Sequence, residues 1–185
     1  MGILDKLFSS GKPDVEKLKA RRDTAGLIAA LAHEDANLRG NAAAALADIK
    51  APEAVEPLIG LLKDSEWTVR VFAARALGSL LDGRAREPLA GALEDEHQRV
   101  REAAAFALGR FGDARAVKQL IVELHNERWD VMSPVIVGLT ESIVNVSDYP
   151  SPNLREIAAL LLPRIGGDEA MQAVREYRAS KGTPG

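Results

Sequence analysis

The chain has 185 residues, 46% of them hydrophobic but only 4% aromatic, with 28% charged residues and a net charge of −3. That length holds one ordinary domain with a sizeable core, and an apolar content carried by alanine and leucine fits a water-soluble helical protein. The mildly acidic balance provides no field that would draw the chain to phosphates, so nucleic acid is not expected as a partner, and the absence of cysteine excludes disulfide frameworks, thiolate catalysis, zinc knuckles and iron-sulfur clusters.

Residues 1–12 form a first segment, with Ile3, Leu4, Leu7 and Phe8 as a short apolar stripe before Ser9-Ser10-Gly11-Lys12. It reads either as a tail packed on the body that follows or as a weak contact of residues 1–8 with a membrane surface or a partner. A basic start, a long apolar stretch and a small-residue cleavage site are missing, and Lys6 stands where an acylation signal wants serine or threonine. No apolar run approaches the roughly 18 residues of a membrane span. A cytoplasmic chain is expected. Residues 13–22, from about Pro13 to Arg22, predict a short capping helix.

From residue 23 the sequence repeats. Arg39, Arg70 and Arg101 recur at a spacing of 31, and the columns around them hold: Leu27, Leu58, Leu89 and Leu120; Leu38, Val69, Val100 and Val131; Leu46, Leu77, Leu108 and Leu139. Ala42-Ala43, Ala73-Ala74 and Ala104-Ala105 form a column of small residues that widens to Val135-Ile136 in the fourth copy. Each copy predicts a shorter helix such as 54–63, a tight turn, and a longer helix such as 66–80, both with apolar residues at helical spacing. Asp64, Asp95 and Asn126 are expected as N-caps of the longer helices, with His33 in that place in the first copy. Gly112-Asp113 is expected to end the third copy and Asp82-Gly83 the second. Neither helix of a copy can bury its apolar face alone, whereas stacked copies can.

The pattern V-R-x-x-A-A-x-A-L-G-x-x-G-D-x-x-A, followed by x-x-P-L-x-x-x-L, resembles the short HEAT-like repeat of the phycobilisome (PBS) lyase family, legible over 23–143 as four repeats. The resemblance implies an all-α, right-handed α-solenoid with a period of 31. It says little about function, because such repeats serve mostly as adaptors and scaffolds.

The fourth copy departs from the pattern, with Met132 in the arginine column and Pro134 near the start of its longer helix. A turn-rich stretch, Val146 to Asn153, follows. Residues 144–185 are expected to form a remodelled fifth repeat, with 154–170 as its second helix, and a last capping helix from about Asp168 to Ser180.

Catalysis requires convergent groups, and the sequence supplies few. His33, His97 and His125 are expected as solvated turn residues, and neither a metal nor a cofactor is implied. His33-Glu34 invites comparison with the di-iron deoxyhypusine hydroxylase, but the corresponding places hold Val71-Phe72 and Glu102-Ala103, so no dyad repeats. Arg128-Trp129-Asp130 is similar to a feature of HEAT-like DNA glycosylases, against which stand the acidic charge and the lack of a basic stripe. A phycobilin lyase-like role is implied by the family resemblance alone.

Two sets of residues remain. Arg39, Arg70 and Arg101, with Asp64 and Asp95 in the turns, predict a structural ladder of ion pairs between copies. The outward columns of the longer helices run Asn41, Phe72, Ala103, Pro134; Ala44, Arg75, Phe106, Val137; and Asp48, Ser79, Arg110, Glu141. There Phe72, Arg75, Phe106 and Arg110 form a candidate binding patch, with Trp67 and Trp129 along one edge. Phe72 and Phe106 are read as exposed anchors, the alternative being that they fill gaps beside alanines. The resulting expectation is a non-enzymatic protein-interaction scaffold whose partner is a protein of unknown identity.

Overall fold

The computed structural model describes residues 12–125 and 154–180. The apolar stripe of residues 1–8, Asn126, Trp129, Met132, Pro134, Leu139 and the turn-rich stretch to Asn153 lie outside them. No helix among the described residues is long and apolar enough to cross a membrane.

The described chain is an α-solenoid. A short helix α1 (Val15–Ala20) leads into three pairs, α2 (Thr24–Ala30) with α3 (Ala36–Asp48), α4 (Val55–Leu61) with α5 (Trp67–Leu80), and α6 (Arg86–Gly91) with α7 (Gln98–Arg110), and then α8 (Val117–His125), α9 (Leu154–Ile165) and α10 (Asp168–Ser180). The longer helices α3, α5 and α7 pack most extensively on one another, each with its shorter helix against its side. Their inward columns form one core: Leu27, Leu58, Leu89 and Leu120, Leu46, Leu77 and Leu108, and the paired alanines at 42–43, 73–74 and 104–105 are all buried.

Small residues decide how closely the longer helices approach. A Cβ added at Gly78 would lie 2.7 Å from Cβ and 2.9 Å from Cα of Ala107 on the next helix. Gly109, one period on, is covered by Leu161 of α9 and Leu120 of α8. By register α9 reads as the second helix of a fifth copy, yet it packs directly on α8 and α7. A large leucine at 161 fills the space over Gly109, as Ala107 does over Gly78.

The turns differ from the expectation in two ways. Asp64 and Asp95 do not cap the longer helices; they stand two residues earlier and accept from the backbone N–H of Glu66 and His97 at 2.9 and 2.8 Å. The cap positions themselves are Asp35, Glu66 and His97, and His33 sits in the Asp64 column, its Nδ1 accepting from the N–H of Asp35. From that position Oδ2 of each aspartate receives an arginine Nε, while Oδ1 accepts both the backbone N–H and the arginine Nη2.

The second copy likewise does not end at Gly83. The left-handed residue after each longer helix is Lys50 (φ 56), Leu81 (φ 56) and Gly112 (φ 70), again 31 apart. A non-glycine residue there is strained by its Cβ. Because Leu81 is 47% exposed and contributes little to the core, Leu81→Gly is expected to raise stability by about 0.5 kcal/mol, read as a higher urea midpoint at unchanged slope.

Candidate interaction surface

Two ion-pair ladders run along the stack. In the first, Arg39 Nε and Nη2 donate to Asp64 at 2.8 and 2.7 Å, and Arg70 Nε and Nη2 donate to Asp95 at 2.9 and 3.0 Å. Each Nη1 meanwhile donates to two turn carbonyls, those of His33 and Glu34 for Arg39 and those of Asp64 and Ser65 for Arg70. Arg101 makes the equivalent pair of bonds to the carbonyls of Asp95 and Glu96. Desolvation works to raise the Asp95 carboxyl, and the bonds from Arg70 and from the His97 N–H outweigh it, holding the group below its ordinary value.

Sequence reading missed the second ladder. Arg84 and Arg115, one period apart, fold back on Asp82 and Asp113 and reach Glu56 and Glu87 of the preceding shorter helix at 3.1 and 2.9 Å. The arginine bonds drive the Asp82 and Asp113 carboxyls down to about 2. The visible signal was Asp-x-Arg after Leu81 and after Gly112, which resembles ordinary end-of-helix chemistry.

The outward face of α3, α5 and α7 carries the predicted patch. Phe72 and Phe106 are half-buried and packed against the core, between the expectation of exposed anchors and the alternative that they fill gaps beside alanines. Phe72 leans over Gly40 of α3, where an added Cβ would meet its Cδ2 at 2.7 Å, so the missing side chain at 40 is the seat of the ring. Between them in register stands Arg75, half-buried; burial alone pushes its guanidinium down to about 10, still charged at neutral pH. Neither Arg75 nor Arg110, also half-buried, forms a hydrogen bond or ion pair in the described structure.

Other residues of that face are tied up. Asp48 is exposed but paired with Lys19, and buried Ser79 receives Lys50 Nζ at 2.8 Å. At the edge, Trp67 stacks on His97 of the following copy with centroids 4.0 Å apart and planes 8° from parallel, so one face of its ring already serves the stack. Trp129 lies outside the described residues. Arg86 reaches over the Phe111 ring at 5.9 Å and pairs with Asp113.

The histidines hold local structure. His97 Nδ1 accepts from the N–H of Arg99, and His125 Nδ1 lies 2.9 Å from the Ile121 carbonyl oxygen. Among the described residues no three of His, Asp and Glu converge as a metal site would require.

Glu102 is the unusual acid. It occupies the column of Gly40 and Val71, is buried, and accepts from Gln98 Nε2 at 2.8 Å and Arg99 Nη1 at 3.1 Å. Desolvation, reinforced by the Glu123 carboxylate, pushes its carboxyl from 4.5 up to about 7. The folded chain therefore keeps a proton that the unfolded chain has already lost, and the stability this confers is present at low pH and lost as pH rises through about 7. Wild type is expected to lose on the order of 2 kcal/mol between about pH 5 and 8, and Glu102→Gln to flatten that slope in urea titrations.

A family model described as HEAT repeats matches residues 24–96 and 71–139. No curated protein matches the chain significantly. Among solved structures, the complex of CpcE and CpcF of phycocyanin lyase from Nostoc sp. PCC7120 contains a chain similar to this one at 26% identity and a TM-score of 0.52, covering 77% of this chain and 64% of that one. Human deoxyhypusine hydroxylase in complex with glycerol is similar at 23% identity and a TM-score of 0.48, over 94% of this chain and 59% of that one. A designed armadillo repeat protein in complex with the peptide (KR)4 is similar at 20% and 0.48, over 96% and 80%. The chain thus spans less than two thirds of the length of the phycocyanin lyase chain that it matches.

Proposed function

Because the chain belongs to the HEAT repeat family, we propose that it is a non-enzymatic adaptor that offers the outward face of α3, α5 and α7 to a protein partner. The observation that carries this reading is the contrast within that face: Phe72 and Phe106 are only half-buried and Arg75 and Arg110 are unpaired among the described residues, while Arg39, Arg70 and Arg101 of the same three helices are bound into the stack. Aromatic rings beside guanidinium groups are the side chains that most often dominate binding energy at protein interfaces. Trp67 extends the proposed surface along its edge; Trp129, proposed with it, lies outside the described residues.

The test is affinity capture from the native cell with the wild type and a Phe72→Ala/Phe106→Ala double mutant, followed by mass spectrometry. Recovery of the partner is expected to fall at least about tenfold for a double mutant whose circular dichroism matches wild type. Equal recovery by both proteins removes the patch from the reading.

A second reading, a phycobilin lyase-like or phycobiliprotein-associated role, is supported by the likeness to the phycocyanin lyase structure. Chromophore attachment to phycocyanin that depends on the purified chain would establish it, and no acceleration would remove it.

A further inference from the structure

Across the described stack, arginine is ordinarily matched to an acid or a carbonyl of its own fold. Arg39 and Arg70 hold aspartates through two nitrogens each, Arg84 and Arg115 hold two carboxylates each, Arg86 lies against Asp113, and Arg101 binds two turn carbonyls. Arg75 and Arg110 are the half-buried arginines without such a match among the described residues, and they lie on one face, whereas Arg21, Arg164, Arg175 and Arg178, also unmatched, are exposed to water. A half-buried guanidinium has lost part of its hydration without receiving a carboxylate in exchange, an arrangement that costs stability and whose natural complement is a carboxylate from outside.

The placement of the apolar groups adds to this. Arg75 and Phe106 hold equivalent positions in consecutive copies and so face each other across α5 and α7. Arg110 lies one turn beyond Phe106, about 6 Å along α7, and Phe72 nearly one turn before Arg75 on α5. Apolar and positive groups therefore alternate across the face. Carboxylates near them in sequence do not neutralise the face, since Asp82 and Asp113 are held by Arg84 and Arg115 and Glu102 is buried against Gln98 and Arg99.

Resting on the adaptor reading above, we propose that the partner docks through a short acidic segment, one carboxylate gripping Arg75 and a second Arg110, with an apolar side chain seated between Phe72 and Phe106. A nucleic acid fits this face less well. Two guanidinium groups on a chain of net charge −3 neutralise too few phosphates to hold a strand.

Fluorescence anisotropy of capped, fluorescein-labelled peptides tests the proposal, using two Glu-Leu-Leu-Glu blocks, the same peptide with Gln for Glu, and a labelled oligothymidylate. The Glu peptide is expected to bind and to weaken with salt, with the Gln peptide at least about tenfold weaker. Arg75→Met is expected to weaken the Glu peptide by a similar factor, while Arg21→Met, at an exposed site on the end of α1, leaves it unchanged. Arg75→Met should also raise Tm, because it removes an unpaired, partly desolvated charge, so a loss of binding with a higher Tm is not a loss of fold.

The proposal is overturned if the Glu peptide shows no saturable binding, if the Gln peptide binds equally, if Arg75→Met binds as wild type does, or if oligothymidylate binds more tightly with the same dependence on Arg75. Partner capture that fails with Phe72→Ala/Phe106→Ala but survives Arg75→Met leaves the adaptor reading intact and removes the acidic segment. Capture unaffected by either substitution removes the adaptor patch itself.

Discussion

Arg70→Ala is expected to destabilise the chain by about 3 kcal/mol, a loss visible as a lower urea midpoint and as a broader transition. The side chain of Arg70 is only 8% exposed and that of Asp95 12%, so the pair is shielded from solvent. Removing the guanidinium strips Asp95 of two hydrogen bonds and leaves one backbone N–H, from His97, to hold a partly desolvated carboxylate. It also frees the carbonyls of Asp64 and Ser65 from their common donor.

Because the bond joins one copy to the next, the loss falls on an interface between repeats. The two halves of the stack should then begin to melt apart, which broadens the transition. Arg70→Met/Asp95→Leu is expected to recover most of the stability, since the penalty lies in the orphaned charge more than in the pair itself. In the second ladder Arg84 is 51% exposed, and Arg84→Ala should leave the urea midpoint nearly unchanged. A similar loss at both sites would mean that burial does not set the strength of the pairs.

Gly78→Leu is the other large effect, expected at about 3 kcal/mol or more. The clash is with backbone, because the first added atom would stand 2.9 Å from Cα of Ala107 and could be relieved only by moving α5 away from α7. Those two helices form the most extensive contact in the stack, so the displacement opens the core on both sides of it. Even Gly78→Ala should lose stability, since its gain in helix propensity, about 1 kcal/mol, is smaller than the overpacking cost. Gly91→Leu is the control: its Cβ meets nothing within 4 Å, and the change should stay within about 0.5 kcal/mol. Equal midpoints for the variants at 78 and 91 would show that the close approach is not a constraint.

The repeat made the fold legible. Residues a fixed 31 apart fall on the same spot of successive copies, so a column of Leu27, Leu58, Leu89 and Leu120 is a statement about burial that no single helix could make. Depth on the outward face was less legible, because it depends on diagonal contacts that break the period. Phe72 is seated by Gly40, 32 residues upstream, and Trp67 is covered by His97, 30 residues downstream. Columns align equivalent positions and are blind to such neighbours.

The aspartates were assigned to the right pairs and the wrong turn positions. Aspartate before a helix reads as a cap, and only geometry distinguishes the cap from a residue two places earlier. The lack of a partner for Arg75 and Arg110 among the described residues was also invisible in sequence. Their register was clear, but the absence of a partner is a fact about three dimensions.

The first ladder has a direction, for Arg39 and Arg70 each reach forward to an aspartate of the following copy. A chain held together this way could in principle continue from one molecule into another, tail to head, as a filament. Growth would need a free carboxylate at the leading end, and position 33, where the period calls for one, is a histidine whose Nδ1 is already taken by the N–H of Asp35. Among the described residues, the ladder therefore starts at Arg39, and its first copy offers a ring nitrogen already in use where the later copies offer two carboxylate oxygens.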